Sequence, residues 1–451
     1  MLVNWPLLST IPPMYPRYLP SVRILLIVII AVYVVIGALY AALTPTWQVP
    51  DEPAHYNYVR ALAEGRGIPV IEPGDYDQAY ISRLTTERFP PELSIESLEY
   101  EDHQPPLYYL LATPVYWLSA GAVLPLRLLS VLFGAGLMVV AFGAVQTVFP
   151  KRPELALMVV AFLAFIPQHI AIMAGVENDA LAELIVGGTL WALLIYVGGR
   201  ERPWLVGLLL AMALLTKVTV YFVVGVAVLA VVIRWRQERQ TWRWVVGQLA
   251  WMFVPAVLLS APWFIRNGLT YGWRDPLGVA RHNAVVEGQM RTSEYLALYG
   301  WPAYWKRAWS FTFNSFWGQF GWMAVVLPTR IYQALLLLSI LLGVGFSWWL
   351  FDRRRSRLTP VQRVRLILFL ASAFFTLIEF LGYNLTFVQH QGRYLFPALI
   401  PIGTAAALGL GTLARLLPRQ TRPWAAIALF AGMATLDVYC LFKFIIPFLA
   451  R

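Results

Sequence analysis

The chain has 451 residues, of which 59% are hydrophobic and only 13% charged, whereas soluble domains carry about a quarter charged residues. This excludes a water-soluble globular enzyme and a disordered or fibrous chain, and leaves a polytopic membrane protein. The net charge of +11 comes from 31 Arg and 4 Lys against 24 acids and is read first as membrane topology rather than nucleic-acid binding; the single cysteine, Cys440, excludes an internal disulfide or a cysteine metal cluster.

A helix needs about 20 apolar residues to cross the hydrocarbon core. In chain order, runs near 22–44, 122–149, 155–175, 180–198, 203–215, 218–233, 244–264, 331–351, 364–382, 395–414 and 424–447 predict an all-α fold of about eleven spans. The first run is too long for a cleaved signal sequence and lacks a convincing cleavage site, so it is read as retained. Basic residues cluster in alternate short loops: Lys151/Arg152, Arg200/Arg202, Arg234 to Arg243, the Arg-rich stretch Arg353 to Arg365 and Arg415/Arg419/Arg422. With Arg17 and Arg23 these make 19 of the 35 basic residues. All fall on one face if the N-terminus is cytoplasmic. One helix over 203–233 would invert everything downstream, whereas two short helices meeting near Thr216–Lys217 preserve the pattern.

The outer face then carries three segments. Residues 45–121 hold 12 of the 24 acids, as a solvated loop would, or a site. Residues 265–330 are rich in Trp, Tyr and Phe, which suits an interfacial belt. The third is the short link 383–394. There is no repeat of fixed period, and nothing after residue 121 is polar over a length that folds alone. The expected organisation is a single transmembrane domain over 1–447 with no separate soluble domain.

Six constellations on this face are candidates for chemistry. In Pro50-Asp51-Glu52-Pro53-Ala54-His55, Asp51 sits where an N-cap would, with Pro53 in the first turn of a helix. Asp51 and His55 share a face of that helix, so the pair reads either as a cap or as a general base or metal ligand at the membrane surface. Tyr100-Glu101-Asp102-His103-Gln104-Pro105-Pro106-Leu107-Tyr108-Tyr109 leads a polar stretch into a helix over 107–119, too short to span and suited to the interface. Glu177-Asn178-Asp179 lies between two spans, and caps for the next helix are the plain alternative. Trp263-Phe264-Ile265-Arg266-Asn267 and Ser315-Phe316-Trp317-Gly318 are aromatic clusters that anchor at an interface or cradle a sugar or lipid. Gln391-Gly392-Arg393-Tyr394-Leu395-Phe396-Pro397 puts Arg393 at the mouth of a span, with Gly392 allowing close approach. Ionisable groups at membrane depth usually face a cavity, which includes Lys217.

Taken in order, these motifs resemble the GT-C superfamily of integral-membrane glycosyltransferases, and among them bacterial relatives of protein O-mannosyltransferase and the lipid A aminoarabinose transferase, in the manner of glycosyltransferase family 39. The resemblance implies a GT-C fold whose long first outer loop carries interfacial helices, here about 51–64 and 106–119. It implies transfer of a sugar from a polyprenyl-phosphate donor to a lipid, glycan or protein acceptor, with inversion, at the outer face of a bacterial inner membrane. The first-loop acid of the family is the base, here Asp51 with Glu52 beside it. The residue before the Pro-Pro, basic in the aminoarabinose transferase, is Gln104 here, with His103 one further back as a substitute phosphate contact.

A lipid-phosphate leaving group needs positive charge where its own charge grows, and Arg393, Arg266 and Lys217 are the candidates with His103. His55, Asp102, Gln104, Tyr108, Asp179 and Trp317 are candidates for the acceptor or sugar site. No cofactor is certain; a divalent metal, if present, would be held by Asp51, His55 and His103. A transporter would share this topology but shows matched broken helices in repeated halves, and a catalytically silent scaffold subunit could share the fold. No matched halves are seen and transport does not need a long acidic first loop, while Asp51, Glu52 and Arg393 favour the glycosyltransferase over the scaffold.

Overall fold

The computed structural model describes residues 21–200, 202–352 and 358–450; Arg17 and the four arginines of 353–357 lie outside the described residues. Among the described residues nine helices are long and apolar enough to cross a membrane, and a bent pair makes a tenth. All eleven expected segments are helical. The chain is an all-α polytopic membrane protein whose only paired strands among the described residues are the two-residue strands Gln319–Phe320 and Val325–Val326, antiparallel with Gln319 opposite Val326.

Three of the expected spans differ in detail. Residues 155–175 form two helices, Pro153–Ala164 and Pro167–Met173, bent by 70°. Pro167 has no N–H to continue the ladder and forces Ile166 into an extended conformation; His169 Nδ1 lies 2.8 Å from the Leu163 carbonyl near the break. The run 203–233 is divided as expected, into Pro203–Leu214 and Val223–Glu238, with a short 3-10 turn at Val218–Val220 between them. The first of these has only 12 residues, short of a full span. The span expected at 244–264 is longer, Trp242–Tyr271.

The ends of the helices sort as the charge pattern requires. Arg365 hydrogen-bonds the carbonyls of Leu194 (3.0 Å) and Thr147 (2.6 Å), Gln362 that of Val148 (3.0 Å), and Arg234 lies 4.8 Å from the Tyr196 ring. The basic turns after residues 148, 196 and 238 therefore meet at one end of the bundle. Leu126, Met138, Leu155, Ile170 and Leu193 are fully buried at its centre. Outer helices leave apolar rows exposed, such as Val254 and Leu258, Leu337 and Val344, and Leu370 and Leu381, the surface a bilayer covers. Helices Thr329–Phe351 and Leu399–Leu413 approach so closely that a Cβ on Gly409 would stand 2.1 Å from the Leu342 carbonyl, the small-residue packing of membrane helices.

The opposite end carries the first loop. Its interfacial helices are Glu52–Ala63 and Leu107–Leu118, within a residue or two of expectation. They are joined by Tyr58 stacked on Tyr109 (3.6 Å between centroids, 8° between planes). A third helix, Gln78–Thr86, capped by Asp77, was not expected. The 265–330 segment is mostly helical. Helix Thr292–Trp317 bends at Gly300 (φ +74°) and exposes Trp301, Trp305 and Trp309, consistent with an interfacial belt.

Candidate active site

Asp51 occupies the N-cap position of helix Glu52–Ala63, yet its side chain makes no capping hydrogen bond. Its backbone is left-handed (φ +66°), uncommon for a residue with a Cβ and tolerated best by Asn and Asp. The carboxylate is engaged instead by the Arg393 guanidinium and by the Tyr100 hydroxyl, which donates at 2.9 Å. The capping alternative is thereby replaced by a carboxylate held across the site.

Arg393 is the hub. Nη2 meets Asp51, and Nη1 donates to Glu177 Oε1 at 3.1 Å. It lies in the tight 3-10 turn Gly392–Ala398 that opens helix Leu399–Leu413. Gly392 permits close approach, but of protein rather than ligand: a Cβ there would stand 2.4 Å from Phe316 N and Thr312 O on helix Thr292–Trp317. Its N–H donates to Ser315 Oγ at 2.8 Å. The serine and glycine of two separate motifs thus seat Arg393.

Glu177 extends the cluster. Its Oε2 is 3.0 Å from His55 Nε2, and His55 Nδ1 is 2.8 Å from the Tyr109 hydroxyl. The Glu177 N–H donates to the Tyr108 hydroxyl at 3.0 Å. Beside it Lys217, at the break between helices Pro203–Leu214 and Val223–Glu238, donates to Asp179 Oδ1 at 2.6 Å. Glu101 faces His55, Asp51, Lys217 and Glu177, and among the described residues it alone of these carboxylates has no hydrogen-bond or ion-pair partner.

The charges sort by these contacts. Burial raises the Asp51 carboxyl, but Arg393 outweighs it and holds the group below the usual carboxylate range. Burial likewise opposes ionisation of Glu177 and is outweighed by His55 and Lys217, which lower it. Burial disfavours charged His55, and Glu177 outweighs that, so the imidazole titrates above its ordinary value. Glu101, desolvated and close to Asp51 and Glu177, is pushed up to about 7 despite His55 and Lys217.

Several expected site residues have partners outside this cluster. Glu52 is fully buried and takes both Nε (2.7 Å) and Nη2 (2.6 Å) of Arg127. Its oxygens also accept the N–H groups of Trp47 (3.0 Å) and Val176 (3.1 Å). Its acceptor capacity is thereby spent on protein contacts. Arg266 donates to the carbonyls of Ile68 and Pro69 and to Asn267 Oδ1, so it fastens the first loop to helix Trp242–Tyr271 instead of facing the cluster. His103 is buried against His282 (4.4 Å between centroids); desolvation and that neighbour hold it well below its ordinary value. Asp102 is buried, and desolvation with Glu99, Asp75 and Glu101 nearby pushes it well above the carboxylate range. The Gln104 carbonyl accepts from Tyr58 (3.2 Å), and the Tyr108 hydroxyl also meets Ser130 (3.1 Å); both are buried. Trp317 is core, packed on Phe162 and Phe316.

The structure thus brings together Asp51, His55, Asp179, Lys217 and Arg393, and adds Glu177, Glu101, Tyr100 and Tyr109, which the sequence analysis places in its motifs but not among the candidate site residues. Glu177 stood two residues before Asp179, and Arg127 was an ionisable group inside an apolar run, a signal of pairing. Among the described residues no three His, Cys, Asp or Glu side chains converge as metal ligands. Of the three expected ligands, Asp51 is taken by a guanidinium, His55 by Glu177, and His103 stands apart with His282. A divalent metal does not fit this donor set.

The fold has solved counterparts. ArnT from Cupriavidus metallidurans bound to undecaprenyl phosphate superposes with a TM-score of 0.51 at 14% identity, over 94% of this chain and 73% of that one. The AglB oligosaccharyltransferase from Archaeoglobus fulgidus, in complex with an inhibitory peptide and a dolichol-phosphate, gives 0.49 at 14% identity over 92% of this chain. The chain spans about half, 55%, of that protein's length. No curated protein sequence matches. The ArnT likeness identifies the fold as GT-C. The family described as predicted membrane protein, DUF2142, matches residues 96–401, more than half of the chain, and the chain belongs to that family.

Proposed function

We propose that the protein is an inverting membrane glycosyltransferase that moves a sugar from a polyprenyl-phosphate donor to a lipid, glycan or protein acceptor. The observation that carries this reading is the Asp51–Arg393 pair, a carboxylate and a guanidinium side by side at the end of the bundle away from the basic turns. The Asp51 side chain is 23% exposed, so the pair is reached from outside. The solved ArnT was bound to undecaprenyl phosphate, and this chain offers a planar guanidinium able to hold two phosphate oxygens. The site faces the outer side of a bacterial inner membrane and the N-terminus the cytoplasm, by the distribution of basic turns.

In the reaction the acceptor hydroxyl attacks the anomeric carbon, its proton passes to Asp51, and the bond from that carbon to the phosphate oxygen breaks. The electron pair leaves with polyprenyl phosphate, whose growing charge Arg393 and Lys217 stabilise. His55 and Glu177 hold the surrounding side chains in place. A silent scaffold would keep the fold without needing this chemistry, and Asp51→Asn separates the two. Asn is equally at ease in the left-handed conformation, so the variant folds. Release of undecaprenyl phosphate from a panel of undecaprenyl-phosphate sugars should fall by about two to four orders of magnitude, the range for a general base. Folded Asp51→Asn with near wild-type release would remove Asp51 from the chemistry.

A further inference from the structure

Arg393 as it stands is fully spoken for on two of its three nitrogens, and its two carboxylate partners are not alike. Glu177 is 1% exposed, its N–H is fixed by Tyr108 and its second oxygen by His55. Asp51 is 23% exposed, the more accessible of the two. The remaining donor, Arg393 Nε, is buried and has no partner among the described residues. Nε and Nη2 lie along one edge of the guanidinium, the edge that takes two oxygens of a phosphate side by side. Asp51 covers half of that edge, and Glu177 sits on Nη1, off it.

We infer that Glu177 is the positioning residue of the phosphate site and Asp51 its displaceable occupant: a lipid phosphate takes the Nε–Nη2 edge of Arg393, expels Asp51 from it, and leaves Nη1 moored on Glu177. The inference rests on the proposed polyprenyl-phosphate chemistry and adds an order to it. Asp51 paired with a guanidinium is a weak base, because the cation favours its ionised form. Expelled by the phosphate, it regains basicity once the donor is in place, beside the acceptor. No bond is made or broken in this step; one ion pair is exchanged for another. A site without this exchange would hold a stronger base open to water before the donor arrives.

The two carboxylates must then act on phosphate binding with opposite signs. The test is the affinity of the full-length protein in detergent for undecaprenyl phosphate, titrated by native mass spectrometry. Asp51→Asn removes the competitor and should tighten binding by at least about threefold, the scale of one partly exposed ion pair. Glu177→Gln unmoors the guanidinium and should weaken it by at least about threefold on the same scale. Glu177→Asp keeps the charge but is too short to reach both Arg393 and His55, and should also weaken binding, with the melting temperature of the unliganded protein as the check on folding. If both carboxylates merely repel phosphate, Asp51→Asn and Glu177→Gln tighten alike and Glu177→Asp changes nothing; either result overturns the inference. Wild-type protein that does not bind undecaprenyl phosphate, or binds it equally as Arg393→Lys, overturns instead the proposed function beneath it, and the inference with it.

Discussion

Replacing Glu52 by Gln asks whether the second acid of the Asp51-Glu52 pair is chemistry or scaffolding. Glu52 is fully buried and its partner Arg127 is 3% exposed. The carboxylate takes two guanidinium nitrogens at 2.7 and 2.6 Å and two backbone N–H groups at 3.0 and 3.1 Å. Those contacts tie the end of the first span, the start of the first interfacial helix and the 174–178 loop together. Without the negative charge, Arg127 is left with the carbonyls of Ala41, Thr44 and Pro45. Breaking a buried pair from one side costs about 3–5 kcal/mol. In a chain of this size that is a drop of roughly 3–10 °C in melting temperature, read by scanning fluorimetry of the detergent-solubilised protein. Replacing both partners, Glu52→Gln with Arg127→Met, should recover part of the loss, since no buried charge remains unpaired. A Glu52→Gln protein that melts with the wild type but has lost sugar transfer would refute the structural assignment and return Glu52 to the chemistry.

Arg393→Lys should lower turnover at least about tenfold, roughly 1.4 kcal/mol, because an ammonium cannot match two phosphate oxygens; Arg266→Lys should leave turnover within about twofold and affect only stability, and the reverse pattern in a donor-release assay would place the phosphate on the wrong arginine. Glu101 carries a carboxyl raised to about 7 by burial beside Asp51 and Glu177, with His55 and Lys217 opposing. A carboxyl raised on folding contributes stability that is present at low pH and lost as pH rises through its folded value, so the melting temperature of wild type relative to Glu101→Gln should fall between about pH 5 and 8, and a pH-independent difference would show that Glu101 is solvated as in an open loop. Cysteines placed at 75 or 290 in a Cys440→Ser background should react with an impermeant thiol reagent from outside the cell, and one at 237 should not; labelling at 237 would invert the assigned orientation.

The spans were legible because a bilayer imposes one length and one composition on every crossing. Charge in the short turns even divided 203–233 correctly, since only a break near Lys217 keeps the arginines together. The 70° bend at Ile166–Pro167 was less legible: an apolar run reads the same whether straight or folded back. Within the cluster, Lys217 and Arg393 stood out as ionisable groups at the edge of apolar segments, and Asp51 and His55 as two polar groups one turn apart on the helix that follows the first span. For Glu52, Arg266 and His103 the sequence shows a polar or charged group but not which partner it already has. Arg127, two backbone carbonyls of the first loop and His282 are remote in sequence, and each engages one candidate through a contact that the sequence does not show. Gly392 shows the same limit: the sequence marks a close approach, and the chain that approaches is helix Thr292–Trp317.

The central claim is that the Asp51–Arg393 pair is a lipid-phosphate site, and the most direct measurement is a cryo-EM map of the protein in nanodiscs with undecaprenyl phosphate. The predicted result is headgroup density about 3 Å from the Arg393 guanidinium, with the prenyl tail running from it into the bilayer. Headgroup density at the opposite end of the bundle, among the basic turns near Arg234 and Arg365, with Arg393 still clasping Asp51 and Glu177, would contradict it.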